Sequence, residues 1–458
     1  MTSWWAAPSS ARPLPCRRDS SPPTLSAEVA GHKPSAASRR ARMLRAQLGP
    51  PNGPPMDADV LIIGAGPAGS VAGSLLARQG HRVVTLEAGT LPRFQIGESL
   101  LPRSNDILAD AGLLNAVVAR RYQPKNAALF LDGERRERFC FADVFPGQRT
   151  QTFQVPRDDF DQTLATAARG HGVDIRFNHR VEAIELGRDQ VSLSVLDLEA
   201  DRRLQLPARF VLDCSGYGRV LPRLLGLEKP SEIPPRVALF TWVEGDDRPP
   251  GDLEGDIWIC IHPRGAWGWI IPFSNGRTSV GLVMPQSDYD SVPGCDRDRL
   301  FTLLHEDPNI RLRLRNASPV LKTVKLSGWA AAVTKFHGPR WAVTGNASEF
   351  LDPVFSSGVT LALESSSIAA GLVHRSLSGE AVNWDAEYDG PVGQAVGVFK
   401  VFVRSWYEGA LPRILLNTNK HPAIRQAITA VLGGYVTDQN NPFVRDADKT
   451  LAAVVKLQ

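Results

Sequence analysis

The chain is poor in the residues that build disulfide or metal scaffolds. Its 458 residues hold five cysteines, at 16, 140, 214, 260 and 295, each isolated and none in a CxxC pair. That scatter speaks against a disulfide framework and a zinc site, and suits a reducing cytoplasm. The nine histidines show no metal-like spacing, so no metal is expected. Long apolar runs are missing as well. Nothing approaches the roughly eighteen consecutive apolar residues of a membrane-spanning helix, so no integral membrane segment is expected. No apolar h-region marks a secretory signal. GxSxG, HExxH and P-loop sequences are absent, which removes the serine-hydrolase, zinc-protease and P-loop NTPase readings.

An excess of one charge is also lacking once the first 55 residues are set aside. These contain eight Lys/Arg, two Asp/Glu and ten prolines; taking them from the totals of 52 Lys/Arg and 48 Asp/Glu leaves 44 against 46, a net charge of −2. The basic character thus gives no reason to expect a nucleic-acid partner. The leader 1–55, with "SSARPLPCRRDSSPP" and "SAASRRARMLR", cannot bury enough apolar surface to offset chain entropy and is expected to be disordered. It reads either as an Arg/Ser-rich transit peptide or as a stretch upstream of a true start at Met56. The second is favoured, because a strand follows Met56 at once.

What is present begins with "DADVLIIGAGPAGSVAGSLLARQGHRVVTLEAG". The apolar run Val60–Ile63 leads into a glycine turn, an Ala/Leu-rich helix to Arg78, a stop at Gly80 and a second strand ending at Glu87. This is a βαβ dinucleotide-binding unit. Gly64 permits the turn, Gly66 lets the backbone approach a pyrophosphate at the helix start beside Ala68, and Gly69 allows close packing of helix on strand. Glu87 stands where a ribose hydroxyl pair would be bound. Strand–loop–helix returns follow at "RDDFDQTLATAARGHGVDIRF", "ARFVLDCSGYGRVLPRLLG" and "GPRWAVTGNASEFLDPVFSSGVTLALESSSIAAGLVHRSL".

The expected architecture is α/β. A discontinuous dinucleotide-binding domain covers 56–382 and carries an inserted β-rich substrate sheet at about 127–155 and 236–330. A helical C-terminal region covers 383–458. In "RGAWGWIIPF" strand alternation puts Trp267, Trp269 and Ile271 on one face and Gly268 and Ile270 on the other, with Pro272 ending the strand. In "DPVFSSGVTLALESS" a helix starts just after Ser357-Gly358, so its unpaired N–H groups form a candidate anion site, the alternative being an ordinary N-cap by Ser356 or Ser357 before a core helix. Cys214 has no partnered base and reads as a buried structural thiol.

The glycine fingerprint, "RFQIGESLLP", "WGWIIP" and "FLDPVFSSGV" together resemble the FAD-dependent monooxygenase-like superfamily, and within it the flavin-dependent halogenases, over residues 57 to about 380. The resemblance implies an enzyme that uses reduced FAD and O2 to oxidise chloride or bromide to hypohalous acid. A lysine then passes the oxidant to an electron-rich aromatic substrate. It implies halide on the amides of Ser357 and Gly358, with Val359 near the flavin. Glu98 would lie in a strap joining the flavin and halide sites. Arg157 would reach the flavin, Asp213 would lie near the FAD adenosine, and Trp267, Trp269, Ile271 and Pro272 would separate flavin from substrate. Lys125, in "RRYQPKNAALFL", is the implied catalytic lysine; desolvation would lower its pKa.

Two departures narrow the reading. Tryptophan halogenases carry a Glu directly before the halide motif, where this chain has Phe355. The subgroup implied is therefore phenolic, pyrrolic or carrier-protein-tethered. The usual Gly-Asp near the ribityl chain reads Gly345-Asn346, and Asn346 retains hydrogen-bonding capacity. The single dinucleotide fingerprint is taken by FAD, so a separate flavin reductase is the implied partner. The alternatives are a flavin oxidoreductase without halide and a flavin-binding protein without turnover.

Overall fold

A computed structural model describes residues 58–456; the leader 1–55 and Met56 lie outside the described residues. β1 (Val60–Ile63) is buried along its whole length, as expected of a strand covered on both faces. The glycine turn delivers the chain into α1 (Pro67–Arg78), whose Pro67 occupies the first turn where a missing N–H costs nothing. β2 (Val83–Leu86) then returns parallel to β1, Val60 facing Val83.

The chain leaves this layer through β3 (Gln123–Lys125), β4 (Ala127–Asp132), β5 (Arg135–Cys140) and β6 (Thr152–Gln154). It re-enters through α2 (Arg157–Gly170) and β7 (Asp174–Arg176), which extends the sheet beside β2. After an antiparallel three-stranded ribbon over 179–208, β8 (Phe210–Asp213) pairs parallel with the other side of β1.

A large second sheet carries β9 (Val237–Glu244), β10 (Ile257–Ile261), β11 (Trp267–Pro272) and β12 (Arg277–Met284). Their order is β9–β12–β11–β10–β4–β5; all of these pairs are antiparallel except β10 with β4. The stretch expected to be β-rich up to residue 330 also holds helices at Gln286–Ser291, Asp296–Leu304 and Pro308–Arg313. They cover the outer face of the sheet, where Ile270, Val280 and Leu282 pack against Leu300, Leu303 and Ile310. β11 is accordingly buried at all six positions. Its alternation separates two cores, with Trp267, Trp269 and Ile271 in one and Ile270 in the other.

β13 (Trp341–Val343) completes the parallel layer beside β8 and leads to α3 (Ser357–Leu377), which packs along α1. α4 (Gly390–Tyr407) opens a run of helices ending at Lys456. No helix among the described residues is long and apolar enough to cross a membrane.

Candidate functional site

Both layers meet at a cavity of about 590 Å³. The glycine loop forms one end, and the three glycines do different work. At Gly64, with φ +99°, a Cβ would stand 2.6 Å from the Cys214 carbonyl oxygen. At Gly69 it would stand 2.0 Å from the Gly64 oxygen, so helix and turn are in contact there. At Gly66 the nearest atom is an Arg93 nitrogen at 3.9 Å, so this backbone faces open cavity. That openness, with Ala68 beside it at the start of α1, fits the pyrophosphate of a dinucleotide such as FAD.

Glu87, at the end of β2, lines the same end. One carboxylate oxygen accepts the Ala65 amide at 2.9 Å; the other accepts from Gly89 at 3.1 Å and Arg93 at 2.7 Å. The carboxylate is thus held in place with one lone pair to spare for a ribose, on the oxygen that accepts from Ala65. Asp213 behaves differently. It is fully buried behind the wall, where its two oxygens accept the Ser215 amide at 2.8 Å and the Leu221 amide at 2.6 Å. Its part is to fold the Cys214–Gly218 loop, and that loop lines the cavity. Cys214 is a free thiol pushed up to about 12 by burial, in keeping with a structural role.

The strap Gln95–Ser99 lines the cavity along its whole length. Gly97 has φ +103°, and a Cβ there would lie 2.8 Å from Arg157 Nη1 and 3.4 Å from Val359. Arg157 lines the cavity at the start of α2. Its guanidinium makes a two-pronged pair with Asp161 at 2.8 and 3.0 Å and donates to the Ile96 carbonyl at 2.7 Å, which fixes the strap. Next on the strap, Glu98 is buried and accepts the Trp242 indole N–H at 2.6 Å. Burial pushes its carboxyl up to about 7, against the pull of Ser279, Trp242 and Arg157.

Lys125 is not part of the cavity wall. It sits on the β3–β6 ribbon opposite Thr152, buried, with its Nζ donating to the Leu100 carbonyl at 2.8 Å and 5.4 Å from the Phe141 ring centre. Burial lowers its pKa to about 7, with Asp256 opposing. One short strap therefore presents Glu98 to the cavity and, two residues on, the carbonyl that holds Lys125.

Beside the strap, α3 follows Ser356, whose φ of +56° turns the chain into the helix and whose side chain makes no cap. The first-turn amides, those of Ser357 and Gly358 among them, have no intrahelical acceptor. Ser356, Gly358 and Val359 line the cavity, whereas Ser357 is buried and does not. Asn346 lines it too.

Trp267, Trp269 and Ile271 form a third side of the cavity, and Pro272 does not reach it. The two indole rings are 5.7 Å apart. Trp269 Nε1 donates to Ser279 Oγ at 3.1 Å, and Gly281 makes its space, since a Cβ there would lie 2.2 Å from the ring. Gly268 faces the other way, with Ile310 3.0 Å from a built Cβ. Sequence patterns gave no warning of Trp242, Tyr217 or Phe350. Trp242 is an aromatic in an ordinary apolar run, Tyr217 stands between two glycines and Phe350 follows a Ser-Glu pair, and only folding brings Trp242 onto Glu98 and the other two to the cavity. Among the described residues, the one cluster with metal-ligand geometry is His337, Asp385 and Asp389.

A family model described as an FAD binding domain matches residues 57–381. The chain is 28% identical over 324 residues to a 1H-pyrrole-2-carbonyl peptidyl-carrier-protein brominase from Pseudoalteromonas luteoviolacea, covering 70% of this chain and 78% of that one. It is 26% identical over 431 residues to the corresponding chlorinase from Pseudomonas fluorescens, covering 87% and 94%. Among solved structures, a flavoprotein/dehydrogenase from Cytophaga hutchinsonii is 40% identical with a TM-score of 0.84, covering 87% of this chain and 98% of that one.

Proposed function

Because the chain belongs to the FAD binding domain family, among the flavin-dependent halogenases, we propose that it halogenates an electron-rich phenolic or pyrrolic ring, free or tethered to a carrier protein. Bound reduced FAD would supply the two electrons and two protons with which O2, chloride or bromide and one further proton yield hypohalous acid and water. A separate flavin reductase would supply that reduced FAD.

The observation that carries the reading is the strap. It sets a buried carboxyl and a buried amine, both brought to about pKa 7, on its two sides. Glu98, on the cavity side, is poised to give or take a proton near neutral pH. Lys125, on the far side, holds hypohalous acid by hydrogen bond or as a chloramine or bromamine, and hands the halogen to the ring. The first-turn amides of α3 hold the halide without a charged side chain. Gly64, Gly66, Ala68 and Glu87 hold the ADP half of FAD, with Gly69 packing α1 on the turn and not reaching the cavity; Arg157, Asn346 and Val359 border its flavin half. Trp267, Trp269 and Ile271 keep the organic substrate away from the flavin.

The test supplies FAD, a reductase, O2 and bromide or chloride with free and carrier-bound phenols and pyrroles. The expected product shows a halogen isotope doublet, and Lys125→Ala loses it at least a hundredfold while reduced flavin is still consumed. Oxygen incorporation that ignores halide overturns the proposal. The likeness to a protein named flavoprotein/dehydrogenase favours one second reading, a halide-independent oxidoreductase. In that case Lys125→Ala leaves turnover intact.

A further inference from the structure

Trp269 is tied within its own sheet, but Trp267 is tied to a different part of the chain. Its Nε1–H donates to the Tyr407 hydroxyl at 3.1 Å, and that hydroxyl donates to Asp352 Oδ2 at 2.8 Å. The other Asp352 oxygen accepts the Val354 amide at 3.1 Å and so caps the turn Pro353–Phe355. Ser356, where α3 begins, follows directly. The direction of this chain of bonds is fixed by chemistry, since an indole only donates and a carboxylate only accepts. A hydroxyl is what can stand between them.

The surroundings hold Tyr407 still. The Arg236 guanidinium lies 3.5 Å from the centre of its ring. The same helix, α4, grips the 345–356 loop at two further places. Lys400 pairs with Glu349 at 2.8 Å, and Trp406 and Phe402 meet Phe355 edge to face at 5.8 and 5.9 Å. Trp267 and Asp352 are both almost fully buried, so each group left without its partner would be an orphan away from water.

We propose that Tyr407, from the C-terminal helical region, is a positioning residue: with Asp352 it locks the Trp267 indole against the cavity and couples that wall to the loop that starts the anion-binding helix. Tyr407 does not line the cavity and acts through Trp267. The inference rests on the proposed halogenation only for its yield measurement, and has a second readout that does not.

The test is a double-mutant cycle of Tyr407→Phe and Trp267→Phe on the full-length protein. Tyr407→Phe is expected to weaken the near-UV tryptophan circular dichroism and to lower halogenated product per flavin oxidised at least threefold, with FAD affinity within twofold of wild type. In the Trp267→Phe background, adding Tyr407→Phe should change neither quantity further. Asp352→Asn, which keeps only one of the two acceptor oxygens and turns an NH2 on either the Tyr407 hydroxyl or the Val354 amide, should weaken the spectrum as Tyr407→Phe does, and this serves as the measurement if Tyr407→Phe does not fold. An unchanged spectrum in Tyr407→Phe, an equal change in the Trp267→Phe background, or an unchanged spectrum in Asp352→Asn overturns the assignment. If the wild type makes no halogenated product, the proposed function fails, and the spectra alone still decide the role of Tyr407.

Discussion

Replacing Lys125 with methionine should abolish halogenation and at the same time make the protein more stable. The amine is fully buried, and its pKa falls from the ordinary 10.5 to about 7. At about 1.4 kcal/mol per unit, burying this ammonium costs on the order of 5 kcal/mol at neutral pH. Methionine fills nearly the same space without that cost. Against it stands the Leu100 carbonyl, which loses its donor at 2.8 Å and with it about 1–3 kcal/mol. The net gain is about 2–4 kcal/mol. Its pH dependence follows from the sign of the shift. Between pH 7 and 10.5 the unfolded chain keeps the lysine proton that the folded protein has lost, so wild-type stability rises with pH across that window. The methionine protein lacks this term. Its advantage is therefore full at pH 7 and below, and fades towards pH 10.5. Urea unfolding of both proteins at pH 7, 8.5 and 10 measures it. A variant less stable than wild type at pH 7, or an advantage that does not shrink with pH, refutes the reasoning.

The remaining predictions use the same structure. Glu98, raised from 4.5 to about 7, keeps a proton that the unfolded chain loses. Wild-type stability should thus fall as pH rises from about 4.5 to 7, by up to roughly 3 kcal/mol, and Glu98→Gln should flatten that slope in pH-resolved melts. Gly66→Ala should leave the unfolding midpoint within about 1 kcal/mol of wild type and weaken FAD binding at least tenfold by titration. Gly69→Ala, whose Cβ would fall 2.0 Å from the Gly64 oxygen, should instead fail to give a cooperative fold by circular dichroism. Asp213→Ala should cost about 2–4 kcal/mol in urea unfolding by orphaning two buried amides; a loss of FAD affinity with no loss of stability would contradict its structural role.

The first βαβ unit was legible because its signals are local. Strand burial, a Pro-started helix and three glycines with distinct backbone demands all lie within thirty residues. The two faces of β11 were legible for the same reason, since a period of two needs no partner to be read. The helices within 286–313 escaped because short amphipathic turns inside a β-rich stretch carry little periodicity of their own. Asp213 was expected near the FAD adenosine, but which side of the loop it would face depends on Leu221, eight residues on. Tyr407 and Trp242 were out of reach altogether. Their bonds to Trp267 and Glu98 span 140 and 144 residues, and no spacing rule extends so far.

That β11 is sealed on both faces bears on how such a cavity can be retuned. A change in the helices over its outer face never meets the contents of the cavity, yet the strand between can yield only towards it. Adding one methyl at Gly268 would press on Ile310 from 3.0 Å and push Trp267 and Trp269 inward. Selectivity can therefore drift through substitutions that an inspection of cavity-lining positions would overlook. The outer helices are a second, hidden place from which the dimensions of the reaction chamber are set.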